Sequence, residues 1–221
     1  MPRELKNIPT THLSLCRDRN ESNGSSDDPI LDKVLRRLLP QPDYNRVAQD
    51  LARFGDRVVS EIEQLGRQAE VEQPRLEQLD AWGRRVDRLV VCKEWYRLKE
   101  ICAEEGIVSI GYEKEHDAYT RRLHQVAKLF LFSPSAGLVT CPIAMTDGAV
   151  KTLTALDLYG KHSLATEAVD RLRSRDPKKA WTSGQWMTEK KGGSDVGSGC
   201  DTYAVKHADG TVSPRPEAGF N

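Results

Sequence analysis

Long apolar runs are what this sequence most plainly lacks. No stretch of its 221 residues approaches the ~18 consecutive apolar positions that a spanning helix needs, and Met1 to Thr11 has no apolar core of the kind a secretory signal carries. The expectation is a soluble intracellular protein. Excess charge of one sign is also missing, since 33 Lys+Arg balance 33 Asp+Glu for a formal net charge of +0. That balance removes the broad attraction to phosphate on which non-specific nucleic-acid binding depends, so nucleic acid is not an expected partner of this chain. Cysteine is sparse: Cys16, Cys92, Cys102, Cys141 and Cys200 are scattered and odd in number, with no C-x-x-C pair to hold a metal or act as a redox couple. His12, His116, His124, His162 and His207 show no i, i+4 pairing among themselves and no metal-ligand spacing, so no metal is expected. Walker, G-x-S-x-G and G-x-G-x-x-G patterns are absent, which removes the P-loop, hydrolase-elbow and dinucleotide-fold readings.

What is present is mostly helical periodicity. Met1 to Pro29 mixes Pro, Ser, Asn, Asp and Gly without apolar spacing and reads as a flexible arm. Ile30, Leu31, Val34, Leu35, Leu38 and Leu39 then recur at helical spacing until Pro40. Behind Asp43, read as an N-cap, Val47, Leu51, Phe54, Val58, Ile62 and Leu65 form the stripe of a long amphipathic helix. Trp82, Val86, Leu89 and Val90 open another segment, continued by Trp95, Leu98, Ile101 and Cys102 to a left-handed Gly106, and all of it is read as helical. Asp117 to Phe132, Leu138 to Leu156, and a helix from Ser163 to Asp176-Pro177 complete the helical part, with Gly137, Pro142 and Gly148 pointing to close backbone approach. Arg121, Arg122 and Lys128 read as a solvated face, and Cys141 as a packed, inert thiol.

From Ala180 the texture changes. Trp181 to Thr188 and Asp201 to Lys206 have the aromatic and β-branched content of short strands. A turn at His207 to Thr211 follows, then Val212 to Asn221 with two prolines and no further apolar stretch. The predicted fold class is therefore mainly α: a helical N-terminal domain over 30–179, followed over 180–221 by the first strands of an incomplete β domain.

The chemically pointed segment is Gln185-Trp186-Met187-Thr188-Glu189-Lys190-Lys191-Gly192-Gly193-Ser194-Asp195-Val196. Thr188 and Ser194 supply hydroxyls, and the double glycine lets backbone N–H groups approach a bound anion or planar polar ring. A solvated turn between strands fits the same composition.

This segment, with Phe132-Ser133-Pro134-Ser135-Ala136-Gly137-Leu138-Val139-Thr140-Cys141-Pro142-Ile143-Ala144-Met145-Thr146-Asp147-Gly148-Ala149 upstream, is similar to the acyl-CoA dehydrogenase superfamily, in its AidB-like branch. The resemblance spans roughly Tyr44 to Val196, and Met187-Thr188-Glu189-x-x-Gly192-Gly193-Ser194-Asp195 is its most specific part. It implies the superfamily's N-terminal helical domain and the opening of its middle β domain. It further implies FAD as cofactor, an acyl-CoA substrate, oxidation of the Cα–Cβ bond, and a homo-oligomer for the full-length form. By motif position Gln185, Met187, Thr188, Gly193 and Ser194 would line the flavin, with Ser194 also facing substrate. No residue of this chain takes the role of the family's catalytic base, a glutamate of the C-terminal bundle, and the chain is expected to be a fragment. The alternative is a non-enzymatic interaction or acyl-CoA/lipid-binding module. The basic cluster Arg171, Arg173, Arg175, Lys178 and Lys179 reads as a contact for CoA phosphates or nucleic acid, or as a solvated run, the commoner case.

Overall fold

A computed structural model of the protein describes residues 29–115, 117–187, 197 and 201–215. The chain divides into two compact units between Ser183 and Gly184. Among the described residues the first carries seven α-helices: α1 Pro29–Leu38, α2 Gln41–Arg57, α3 Glu63–Val71, α4 Lys93–Glu104, α5 Ala118–Phe132, α6 Thr140–Ala155 and α7 Ser163–Leu172. No helix among the described residues is long and apolar enough to cross a membrane.

The buried positions are those the spacing selects. Leu35, Val47, Leu51, Phe54, Val58, Ile62, Leu98, Ile101, Leu131 and Phe132 belong to one continuous core, in which the Phe54 and Phe132 rings meet at 6.3 Å between centroids. Helix ends follow local chemistry. The Asp117 carboxylate accepts from the backbone N–H groups of Tyr119 and Thr120, and Gly106, at φ +63°, ends α4 with Ile107 N–H bonded back to Cys102 O. Three expectations at the helix starts are corrected. Pro29, read as the last residue of the arm, is the first residue of α1; residues 1–28 lie outside the described residues. Pro42 sits in the first turn of α2, where a missing N–H costs nothing, and the helix therefore begins at Gln41 ahead of Asp43. The long helix is not uniform either: Val58–Ile62 is a π turn joining α2 to α3.

The segment opened by Trp82 is a hairpin rather than a helix. Strands β1 (Arg75–Leu79) and β2 (Arg85–Val90) pair antiparallel. Asp80 explains the turn, because its side chain accepts from Trp82 N and Arg84 N while Gly83 takes φ +78°. Such Asx-turn chemistry outranks a loosely helical spacing.

In the second unit β3 (Tyr203–Lys206) and β4 (Val212–Arg215) pair antiparallel around the turn expected at His207–Thr211, with Gly210 at φ +84°. Val212–Arg215, which falls in the proline-containing stretch where no further apolar run is found, supplies the second strand. In the structure Pro214 stands opposite Ala204, which a two-stranded sheet tolerates because each strand is an edge. Trp181–Met187, expected as a strand, has no regular secondary structure.

Candidate functional site

The stretch of the first unit that precedes the motif in sequence is a strap that runs from Asp176 to Ser183, and three attachments explain its path. Asp176 O accepts from the N–H groups of Lys179 and Ala180. Trp181 N–H donates to Arg171 O at 3.0 Å, and the Arg171 guanidinium lies 5.3 Å over the Trp181 ring. Ser183 N–H donates to Thr146 Oγ1 at 3.0 Å, while that hydroxyl donates to Pro142 O at 2.7 Å. Thr146 is a buried polar residue on the Ile143, Thr146, Val150 stripe of α6, so its hydroxyl serves helix and strap at once. With Trp181 and Ser183 N–H groups engaged in this way, the strap cannot offer them to a neighbouring strand, which is why the expected strand does not form.

Between the strap and helices α4 and α6 lies a cavity of about 200 Å³, lined among others by Tyr96, Cys102, Ile143, Thr146, Leu172 and Trp181. An apolar cavity of ~150 Å³ takes up a benzene-sized molecule, whereas whole-ligand sites span ~300–1,000 Å³. This volume suits one small group of a ligand. Cys102 does not supply a nucleophile there, since burial pushes its thiol well above the ordinary range. Among the described residues no group of three or more His, Cys, Asp or Glu is placed to hold a metal.

Beyond Gly184 the chain belongs to the second unit. Gln185 and Met187 are exposed there, and the Trp186 between them is 98% exposed. Thr188, Gly193 and Ser194 lie outside the described residues.

Two readings of individual side chains are corrected. Lys128 is 1% exposed: its ammonium lies 2.9 Å from both Asp50 of α2 and Glu105, the residue ending α4. Glu105 is 3% exposed and also takes Arg57 at 2.7 Å and Arg53, while His124 Nε2 lies 2.8 Å from Asp50. Burial alone would raise both carboxyls. Hydrogen bonds from His124, Lys128 and Arg53 instead hold Asp50 far below the usual carboxylate range, and those from Arg53, Lys128 and Arg57 bring Glu105 from 4.5 to about 2. The cluster is a buried ionic joint between α2, α4 and α5. Cys141, expected to be packed, is exposed in the first turn of α6. The basic cluster stays at the surface, where Arg171 pairs with Glu167, Arg173 with Asp170 at 2.8 Å, Arg175 with Glu113 and Lys179 with Asp176 at 3.8 Å.

Comparison with known proteins places this architecture. The family model described as the adaptive response protein AidB N-terminal domain matches residues 17–177. Acyl-CoA dehydrogenase family member 11 of Caenorhabditis elegans is 76% identical over 184 residues, covering 83% of this chain and 30% of the relative. The AidB protein of Escherichia coli (strain K12) is 30% identical over 169 residues, covering 73% of this chain and 30% of the relative. Among solved structures, that of Caenorhabditis elegans ACDH-11 in complex with C11-CoA superposes with a TM-score of 0.82 at 74% identity, over 86% of this chain and 32% of the other. The Bd2924 apo-form gives 0.75 at 40% identity, over 85% and 37%. The chain thus spans 30% of the length of these curated relatives. From its helical core to the strap, it belongs to the AidB-like branch of the acyl-CoA dehydrogenase superfamily and carries that family's N-terminal domain.

Proposed function

We propose that the chain contributes one wall of a flavin-dependent acyl-CoA dehydrogenase site, with residues 180–221 as the opening of the middle β domain of a longer protein that assembles from identical subunits. The observation that carries this reading is the strap. Thr146 and Arg171 hold Trp181–Ser183 against the helical core, and Met187-Thr188-Glu189-x-x-Gly192-Gly193-Ser194-Asp195 follows within a few residues. Family membership and the C11-CoA bound by ACDH-11 support it.

The residues present fit a flavin in kind. Trp186 and Met187 expose apolar side chains that a planar ring system would cover, and Gln185 adds an amide beside them. Gln185, Met187, Thr188, Gly193 and Ser194 would hold FAD, and Ser194 would also face the thioester substrate. When bound, the flavin supplies a two-electron acceptor for hydride from the β-carbon of the acyl group. The chain's own part is to bind and orient: hydroxyls at Thr188 and Ser194 donate or accept, and the glycine pair permits close approach of the backbone. No residue of this chain takes the α-proton.

The test is a titration of the purified chain with FAD, followed by acyl-CoA, reading the flavin absorption band and Trp fluorescence. A shifted flavin spectrum with quenched Trp fluorescence, weakened by Thr188→Ala and Ser194→Ala, is the expected result. Acyl-CoA retained without flavin would favour the binding-module reading instead, retention of neither would confine flavin binding to the longer protein, and a longer protein whose FAD binding is unmoved by Thr188→Ala and Ser194→Ala would overturn the proposed site.

A further inference from the structure

We infer that the cavity under the strap is a binding site for a small aromatic monocarboxylate, its ring enclosed between α4, α6 and the strap and its carboxylate on Lys99. The cavity of about 200 Å³ adjoins a wider depression of about 520 Å³, and Lys99, Leu172, Ala180, Trp181 and Thr182 line both. Size and wall chemistry set the enclosed end of the ligand. An apolar cavity of ~150 Å³ accommodates benzene, so this one takes a single six-membered ring. Ala103, Ile143 and Leu172 supply buried aliphatic wall. Tyr96 and Trp181 add half-exposed aromatic side chains, which favour a ring over a bare alkyl chain through ring–ring contact.

Charge sets the other end. Most polar groups on the walls are already engaged within the protein: Thr146 Oγ1 with Pro142 and Ser183, Ser109 with Glu113, Ser174 with Asp176, and Glu100 with Arg97 at 3.1 Å. Lys99 is different. Among the described residues it makes no ion pair and is the only Lys or Arg on either wall. Its ammonium lies 5.3 Å from the centre of the Trp95 ring, a weaker attachment than a charge-assisted hydrogen bond to a carboxylate. Burial raises the Cys102 thiol, and the Lys99 charge works against that rise, so the cation stands beside the buried Cys102 wall of the cavity. One ammonium at the edge of an apolar space matches one carboxylate on a hydrophobic body. A polyphosphate, which needs several cations, finds no such set here. The site lies wholly in the first unit, and the inference is independent of flavin binding.

Isothermal titration calorimetry of the purified chain, without flavin, tests it with phenylacetate, the neutral phenylacetamide, and hexanoate. Phenylacetate is expected to bind with a dissociation constant on the order of 1 mM or tighter, and phenylacetamide at least tenfold more weakly. Saturation with phenylacetate should also slow amide exchange at Trp181 to Ser183, the residues that close the cavity. Lys99→Met should bring phenylacetate down to the affinity of the amide and leave the amide's own affinity unchanged. Ala103→Leu should fill the cavity and exclude both; if it loses helical signal in far-UV circular dichroism, Ala180→Leu takes its place. A wild-type chain that binds no phenylacetate at about 10 mM, binding indifferent to Lys99→Met or to the filled cavity, or hexanoate held as tightly as phenylacetate would each overturn the inference.

Discussion

Replacing Glu105 by glutamine keeps the shape of a buried side chain and deletes the anion at the centre of the ionic joint. Glu105 receives Lys128 at 2.9 Å, Arg57 at 2.7 Å and Arg53 through Nη1 at 3.0 Å. Without it, Lys128 keeps Asp50 as its carboxylate partner, and removing one member of a buried ion pair costs ~3–5 kcal/mol where nothing compensates. The carboxyl itself gives a second measure. Burial works against its charge, but the three cations hold it at about 2 against an ordinary 4.5, a difference that corresponds to about 3 kcal/mol. A depressed folded-state value means that this stability is fully present above pH 4.5 and is lost as the pH falls from there through about 2. Roughly 1.4 kcal/mol of it remains at pH 3. Urea unfolding of wild type and Glu105→Gln, followed by far-UV circular dichroism at pH 7 and pH 3, measures both points. The variant should be about 3 kcal/mol less stable at pH 7, with less than half that gap at pH 3. A variant within ~0.5 kcal/mol of wild type at pH 7, the usual range for surface changes, or a gap that does not narrow with acid, refutes the reasoning.

Gly66→Ala should destabilise despite alanine's better helix propensity, because a Cβ there would stand 2.2 Å from Ser135 O, a backbone atom that cannot swing away; a loss of ~1–3 kcal/mol is expected in thermal or urea unfolding. Thr146→Val removes the hydroxyl that takes Ser183 N–H, so amide exchange at Trp181 to Ser183 should accelerate by the equivalent of ~1–2 kcal/mol while α2 and α5 stay protected. Brief iodoacetamide treatment of the native chain should modify Cys141, which is exposed, and spare Cys102 until denaturant is added, since burial both raises that thiol and excludes the reagent; peptide mass spectrometry reads the two sites separately.

How much was legible in the sequence follows from how far apart the interacting groups lie. Local pattern alone established the helical identity of most of the first unit, the core stripes such as Val47, Leu51 and Phe54, the start at Asp117 and the stop at Gly106. A helix face repeats every three to four residues, and caps act within one turn. The motif from Met187 to Asp195 was equally readable, as a string that marks a family. Only the tertiary structure decided that Lys128 is buried, because its partner Asp50 is 78 residues away, and a lysine on an amphipathic helix looks the same in sequence whether it snorkels or pairs. It also decided that Trp181 to Ser183 belongs to a strap, since the group that takes Ser183 N–H is a threonine 37 residues earlier. The hairpin at Arg75–Val90 stood between these cases. Its Asp80–Gly83 turn was written locally, yet it was hidden by aliphatic spacing that fits helix and strand alike, and backbone pairing across the ribbon settled the choice.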